Sequence, residues 1–426
     1  MGYNGMAWTT LSILLYICIQ FGLTRARALT RSDIAVPSPE TTGPCALMVI
    51  PRGYKCEEYE VVTTQDGYIL SMQRIPQGQG GGINGSGGGG DHDGKRRQPV
   101  LLQHGVLMDG ITWLLNSPQQ SLAFVLADHG FDVWIANTRG TRWSRRHVSL
   151  DPSSTAYWAW SWDELVTNEL PATFDFVYSK TGQKLHYVGH SMGTLTALAS
   201  FSEGKLVDKV QSAALLSPIA YLTHMTTPIG ILCAKAFIGE IITNWLGIAE
   251  FNPQGCANFT HLKDVTNLLK TLCLDPNVDC YDLMRAFTGN NCCLNASTVE
   301  LFLKYEPQPT STKTMVHLAQ TFRDGVLTKY DYGRGEANIE YYGQSTPPIY
   351  NMSNIPKSLP LFLSYGGQDS LSDVRDVELL LDDLKFHEGD KLTVQFVKDY
   401  AHADFVMGVS AKQIVYDAVI AFFDRQ

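Results

Sequence analysis

Gly189-His190-Ser191-Met192-Gly193 has the G-x-S-x-G spacing of a nucleophile elbow. Such a turn holds a serine between a strand and a helix in a strained conformation, so its neighbours must be small, and Gly189 and Gly193 are. The strand would be Leu185-His186-Tyr187-Val188, and Thr194 to Ser200 would open the helix. A helix start also aims backbone N–H groups at the point where an oxyanion develops. Three fixed positions recur by chance, so the string alone is weak and its strand-to-helix setting carries the inference. The bland alternative is a glycine-rich turn with an incidental serine.

A serine hydroxyl is a poor nucleophile until a base takes its proton, and that base needs an orienting carboxylate. Both must come later in the chain if the elbow is of this type. Asp369 follows Leu361-Phe362-Leu363-Ser364-Tyr365-Gly366-Gly367-Gln368, on a loop leaving a strand. His402 follows Val394-Gln395-Phe396-Val397 in the same manner, after Asp399-Tyr400-Ala401. Ser191, Asp369 and His402 are therefore the expected nucleophile, acid and base, and His186, His190 and His317 are read as structural. Among other carboxylates near strand ends, Asp399 and Asp404 lie too close to His402 on its own loop. Asp373 and Asp376 fall in the first turn of a following helix, where they would cap it. The second oxyanion donor must come from the loop after an earlier strand. Gln103-His104-Gly105-Val106-Leu107 fits, so the backbone N–H groups of Val106 and Met192 are the expected pair.

Short apolar strands position these loops. Besides those above, Val100 to Gln103, Phe131 to Ala136 and Val210 to Leu216 read as strands. Helical patterns over Ser117 to Asp128, Asp163 to Lys180 and Ala411 to Phe423 separate several of them. Such alternation means an α/β chain with a mainly parallel sheet covered by helices on both faces. Upstream, Tyr59 to Val62 and Tyr68 to Arg74 flank Asp66-Gly67, a hairpin signal. Gly78 to Gly94 is glycine-dominated and reads as a surface loop. It lacks the Lys-Ser/Thr and the strand-helix setting of a phosphate cradle. The alternation stops between about Pro218 and Tyr350, a cysteine-rich stretch of helices and loops best read as a cap inserted between two sheet strands. Within it, Ile229 to Ile248 is largely apolar and reads equally as a buried cap helix or as a lid that meets lipid. The resulting division is 29–98 as an N-terminal segment with hairpin and glycine loop, 99–217 and 351–426 as the two parts of the core, and 218–350 as the cap.

The 426 residues carry 33 Lys plus Arg against 42 Asp plus Glu, a net charge of −9 without a basic stripe, which argues against nucleic acid as partner. Hydrophobic residues at 44% and charged residues at 18% suit a large core rather than a disordered chain. No apolar run reaches the length of a spanning helix. Residues 1–28 read as an export signal: Leu11 to Leu23 is mostly apolar and Ala26-Arg27-Ala28 is a small-x-small cleavage site, although nothing before Arg25 is basic. Asn84, Asn258, Asn295 and Asn351 head acceptor sequons for N-glycosylation. Of 9 cysteines, Cys18 would leave with the signal, and the even remainder permits disulfides. Spacing does not fix the pairing. Cys45 with Cys56 is the best single guess because only a short turn separates them. No C-x-x-C pair or H-E-x-x-H marks a metal site, and adjacent Cys292 and Cys293 suit two separate partners. Neither metal nor cofactor is expected.

LLQHGVLMDGITWL, GFDVWIANTRGTRWSRRH, WAWSWDELVTNELPATFDFV, LHYVGHSMGT, YGGQDSLSD and YAHADFVMG, in this order, resemble the acid lipase family, which includes gastric and lysosomal lipases and plant relatives. The resemblance runs from about Cys45 to the C-terminus, and NCCLNASTVE looks most like the plant members. It implies an α/β-hydrolase fold with a lidded cap, fatty-acid esters as substrates, and Ser191, Asp369 and His402 in the roles already given. The long glycine-rich insertion departs from the family pattern.

Trp158, Trp160 and Trp162 could line an acyl pocket, but core packing is favoured. Arg142, Arg145 and Arg146 could attract anionic lipid, but a solvated basic face is favoured. The leading function is a lipase, secreted or in a vacuolar or lysosomal lumen, meeting its ester at an oil–water or membrane interface without a transmembrane anchor. A steryl-ester or short-chain carboxylesterase with the same triad is the alternative. A catalytically silent lipid-binding relative is a different class, and one with no need to keep all three residues. Oligomeric state is not legible.

Overall fold

The computed structural model describes residues 43–62, 65–79, 96–227, 231, 249–252 and 280–426. The export signal, Asn84, Asn258, most of the glycine-rich loop and all of the apolar stretch at 229–248 except Ile231 lie outside them, as do Cys233, Cys256 and Cys273.

The strands in chain order are β1 (Glu57–Val62), β2 (Tyr68–Ile75), β3 (Pro99–Gln103), β4 (Asp132–Ala136), β5 (Arg146–His147), β6 (Leu185–His190), β7 (Val210–Leu216), β8 (Glu250–Phe251), β9 (Thr310–Ser311), β10 (Leu361–Gly366) and β11 (Leu392–Val397). The main sheet runs β1-β2-β4-β3-β6-β7-β10-β11, with β5 paired to β2. From β4 to β11 every pairing is parallel, whereas β1, β2 and β5 are joined antiparallel. The six strands expected in the core are these six parallel neighbours. All six run in one direction, so the loops after β3, β6, β10 and β11 lie together at the C-terminal end of the strands.

Period-two alternation sorts the strand side chains to two cores. Leu101, Tyr187, Leu215 and Leu363 pack on one face with Leu195 and Phe174. Leu102, Val188, Leu216 and Phe362 pack on the other with Phe124, Tyr416 and Phe422. The three tryptophans belong to the first core: Trp158, Trp160 and Trp162 are buried there, under helices of the sheet rather than in a pocket. Their spacing does not mark an extended segment, since Thr155–Trp158 is a 3-10 turn and Trp162 opens the helical stretch that continues to Thr181.

Several expectations need correction. β11 departs from the expectation of a sheet covered on both faces. It lies at the sheet edge with Val394 and Phe396 exposed, because nothing among the described residues pairs beyond it. The helix placed at Ser117 begins only at Leu122, since Ser117 and Pro118 form a turn that feeds it. The three arginines do not share one solvated face: Arg142 and Arg145 are part-buried and pair with Asp109 and Glu250, whereas Arg146 is exposed and pairs with the exposed Glu60. Cys292 and Cys293 are bonded to each other rather than to separate partners, while Cys45 is bonded to Cys56. Residues 280–350, between β7 and β10, hold the helices Cys280–Thr288, Ala296–Tyr305, Thr312–Asp324 and Gly335–Tyr342.

Candidate active site

Ser191 sits between β6 and the helix Met192–Ser202 at φ 55° and ψ −121°. A non-glycine residue in this region stores roughly 1–3 kcal/mol of strain, which the surrounding contacts must hold. Its carbonyl accepts from Thr194 N and Thr194 Oγ1, and its own N–H donates to Leu216 O of β7 at 3.2 Å. The neighbouring glycine is needed for close approach: a Cβ on Gly193 would lie 2.5 Å from Gln103 O of β3. The turn therefore presses directly against β3, the strand that leads into the 103–107 loop. Gly105 of that loop would place a Cβ 2.9 Å from Ser191 Cβ. Val106 is the next residue of that loop, and Met192, the first of the helix, directly follows Ser191.

His104 fixes the start of this loop. Thr138 N donates to His104 Nε2 at 3.0 Å, so the ring proton belongs on Nδ1, which donates to Gly105 O at 2.8 Å. Burial pushes this imidazole down to about 4, which keeps it neutral.

Asp369 and His402 come together from adjacent strand ends. His402 Nδ1 lies 2.9 Å from Asp369 Oδ2 and 3.1 Å from Oδ1, with both residues buried. Asp369 Oδ1 also accepts from Leu371 N and Ser372 N, which holds the carboxylate in place. The approach depends on glycine: a Cβ on Gly366 would lie 2.1 Å from Tyr400 O. With Nδ1 engaged by the carboxylate, the basic lone pair belongs on Nε2. That atom is buried and has no hydrogen-bond partner among the described residues.

Sequence reasoning missed the groups that fix His402. His190 Nε2 donates to the His402 carbonyl at 3.0 Å, with the two rings 4.7 Å apart. Burial pushes His190 well below the usual imidazole range, so it stays a neutral donor. His402 N donates to Thr288 O and Ala403 N to Asn291 Oδ1, tying the loop to the end of the helix Cys280–Thr288 and the segment that follows it. Asp404 accepts from Ala401 N, Cys292 N and Cys293 N. The sequence signal for His190 was its place inside the elbow; for the others there was none.

The competing carboxylates separate cleanly. Asp373 caps the helix Val374–Asp383 through Arg375 N, as expected. Asp376 does not serve as a cap; it is buried and accepts from the backbone and ring of His224. Cys292, Cys293 and Asp404 offer metal-ligand atoms within 4.8 Å of one another. Their sulfurs, however, are bonded together and the carboxylate is taken by three N–H groups, so the set does not suit a metal ion.

A strained serine, a carboxylate-held histidine and a flanking amide loop at the parallel strand ends define the nucleophilic hydrolase class of α/β proteins. The comparisons agree. The family profile described as alpha/beta hydrolase fold matches residues 98–406, and the partial alpha/beta-hydrolase lipase region matches residues 45–117. Triacylglycerol lipase 2 of Arabidopsis thaliana is 57% identical over 98% of this chain and 96% of that protein. Human gastric triacylglycerol lipase is 36% identical over 91% of this chain and 92% of its own length. A soluble variant of monoglyceride lipase from Saccharomyces cerevisiae, solved with a substrate analog, shares the fold with a TM-score of 0.54 at 14% identity, covering 87% of this chain and 95% of that one. The chain belongs to the lipase family of the α/β-hydrolase fold.

Proposed function

We propose that the chain hydrolyses fatty-acid esters of the triacylglycerol type through an acyl-serine intermediate. His402 Nε2 takes the proton of Ser191 Oγ as that oxygen attacks the ester carbonyl. The oxyanion is held by the backbone N–H groups of Val106 and Met192. Collapse breaks the bond to the alcohol oxygen, and the imidazolium returns its proton to that leaving group. Water then attacks the acyl-serine with His402 again as base, which releases the fatty acid and restores Ser191. Asp369 holds the tautomer and stabilises the imidazolium. No step calls on a metal or cofactor.

The observation that carries this reading is the engagement of His402 Nδ1 by Asp369, with Nε2 left buried and without a hydrogen-bond partner among the described residues. The names of the relatives support the substrate class. Residues 99–217 and 351–426 act as the catalytic core and 218–350 as its cap. The sequence signals and the Cys45–Cys56 bond support export to an extracellular, vacuolar or lysosomal space. Asn295 and Asn351 support it further, because both are exposed and use only Oδ1 in capping, leaving Nδ2 for a glycan. Among the described residues no helix is long and apolar enough to cross a membrane.

Ser191→Ala tests the assignment. The purified variant should fold, lose hydrolysis of triolein and lose labelling by a fluorophosphonate; wild-type turnover would refute the elbow. Triolein, cholesteryl oleate and a short-chain ester, compared on the wild type from pH 4 to 8, separate lipase from steryl-ester hydrolase and carboxylesterase.

A further inference from the structure

The loop that carries Val106 is held from outside the sheet by a chain segment far from it in sequence. Leu107 has φ 60°, and its carbonyl accepts from Gln308 N at 2.7 Å. Two residues on, Asp109 N donates to Glu306 Oε1 at 3.0 Å. Gln308 Oε1 in turn accepts from Arg142 N at 3.0 Å, and Arg142 Nε lies 3.2 Å from Asp109 Oδ2. Glu306 and Asp109 are fully buried. Neither Glu306 Oε2 nor Asp109 Oδ2 has a hydrogen-bond partner of good geometry among the described residues.

We propose that Glu306 and Asp109 form a positioning pair that shares one proton and so locks the Val106 loop to the 305–308 segment. The inference rests on the ester-hydrolase reading above and deepens it. Charge balance is the reason for the single proton. Two carboxylates beside one guanidinium leave a buried negative charge, whereas one carboxylate, one carboxylic acid and Arg142 sum to zero. An unbalanced buried charge is strongly unfavourable, and two carboxyl groups in contact do not both ionise readily. Burial first, and the neighbouring carboxyl second, drive Glu306 well above the usual carboxylate range; burial also raises Asp109 despite Arg142. The groups facing the pair are the Arg142 guanidinium and the Trp143 indole, with Tyr305 stacked under Arg142. As pH rises and the shared proton leaves, Asp109 and Glu306 repel, the lock opens, and the oxyanion donor at Val106 loses its fixed position. Activity therefore declines on the alkaline side for a reason independent of His402.

Four full-length variants test this: Glu306→Gln, Asp109→Asn, the double amide and Glu306→Ala. Each single amide makes the neutral state permanent, with one carboxylate opposite Arg142. Both should keep kcat of wild-type order on a soluble ester and lose the alkaline decline. The double amide leaves Arg142 uncompensated, and the alanine removes the acceptor of Asp109 N. Both should lose about 10- to 100-fold in kcat with KM little changed, the scale of a misplaced oxyanion donor. A double amide as active as the singles, or an unchanged alkaline limb in Glu306→Gln, overturns the proposal. If the alanine variant does not fold, the alkaline limb of Glu306→Gln decides alone. Fluorophosphonate labelling separates the two levels. A wild type unlabelled at Ser191 fails the hydrolase reading, whereas Glu306→Ala labelled at the wild-type rate fails only the lock.

Discussion

His402 Nδ1 takes its carboxylate from Asp369, 33 residues earlier, at 2.9 Å, and not from Asp404 two residues away. Asp404 turns both oxygens toward the backbone N–H groups of Ala401, Cys292 and Cys293. A carboxylate on the histidine's own loop can brace that loop but cannot also approach the ring from the side.

This separation predicts different losses. Asp369→Asn should fold and lose on the order of 10⁴-fold in turnover, since the amide favours the wrong imidazole tautomer. Asp404→Asn should keep turnover of wild-type order but unfold at a lower temperature, because a single amide oxygen cannot accept all three N–H groups. Steady-state kinetics with melting curves distinguish them; a 10⁴-fold fall in Asp404→Asn with Asp369→Asn still active would exchange the roles.

Burial raises Asp404 to about 6. A proton held more tightly in the folded state stabilises the fold below the ordinary carboxylate range. That stability is lost as pH rises through about 6. Asp404→Asn should therefore show a smaller fall in melting temperature between pH 4 and 6.5 than the wild type. Parallel curves for the two proteins would contradict the burial argument.

Histidines act in the opposite direction. His186, stacked on Phe423 and bonded to Ser212, is pushed down to about 4 by burial, and His317 to about 3. Each is neutral when folded and takes up a proton on unfolding. Their stability is present above the ordinary imidazole value near 6.5 and is lost as pH falls toward the folded value, at about 1.4 kcal/mol per pH unit per group. His186→Gln should start from a lower melting temperature at pH 7 yet decline less between pH 6.5 and 4.5. An equal decline would show that His186 titrates normally.

Gly366→Ala tests the meeting of the two strand-end loops. A Cβ there would lie 2.1 Å from Tyr400 O, a backbone atom that moves only with the His402 loop. A displacement on the order of 1 Å should cost about 100-fold in turnover. Far-UV circular dichroism of wild-type form with that loss supports the geometry; full activity would remove the close approach as a requirement.

The sequence by itself determined whatever depends on neighbours along the chain. Short apolar runs alternating with helical patterns located the six parallel strands, and the turns that follow them put Ser191, Asp369 and His402 at strand ends. The short interval between Cys45 and Cys56 marked the pair that the structure joins. These signals are local because backbone conformation and side-chain alternation repeat over a few residues. Tertiary structure alone decided which strand lay at the edge, leaving Phe396 exposed, and which acid held which base, giving Asp376 to His224. It also set Glu306 against Asp109 across 197 residues, and His190 against His402 across 212. A carboxylate's partner and its proton depend on burial and on charges brought together from distant segments, and neither quantity exists until the sheet has assembled.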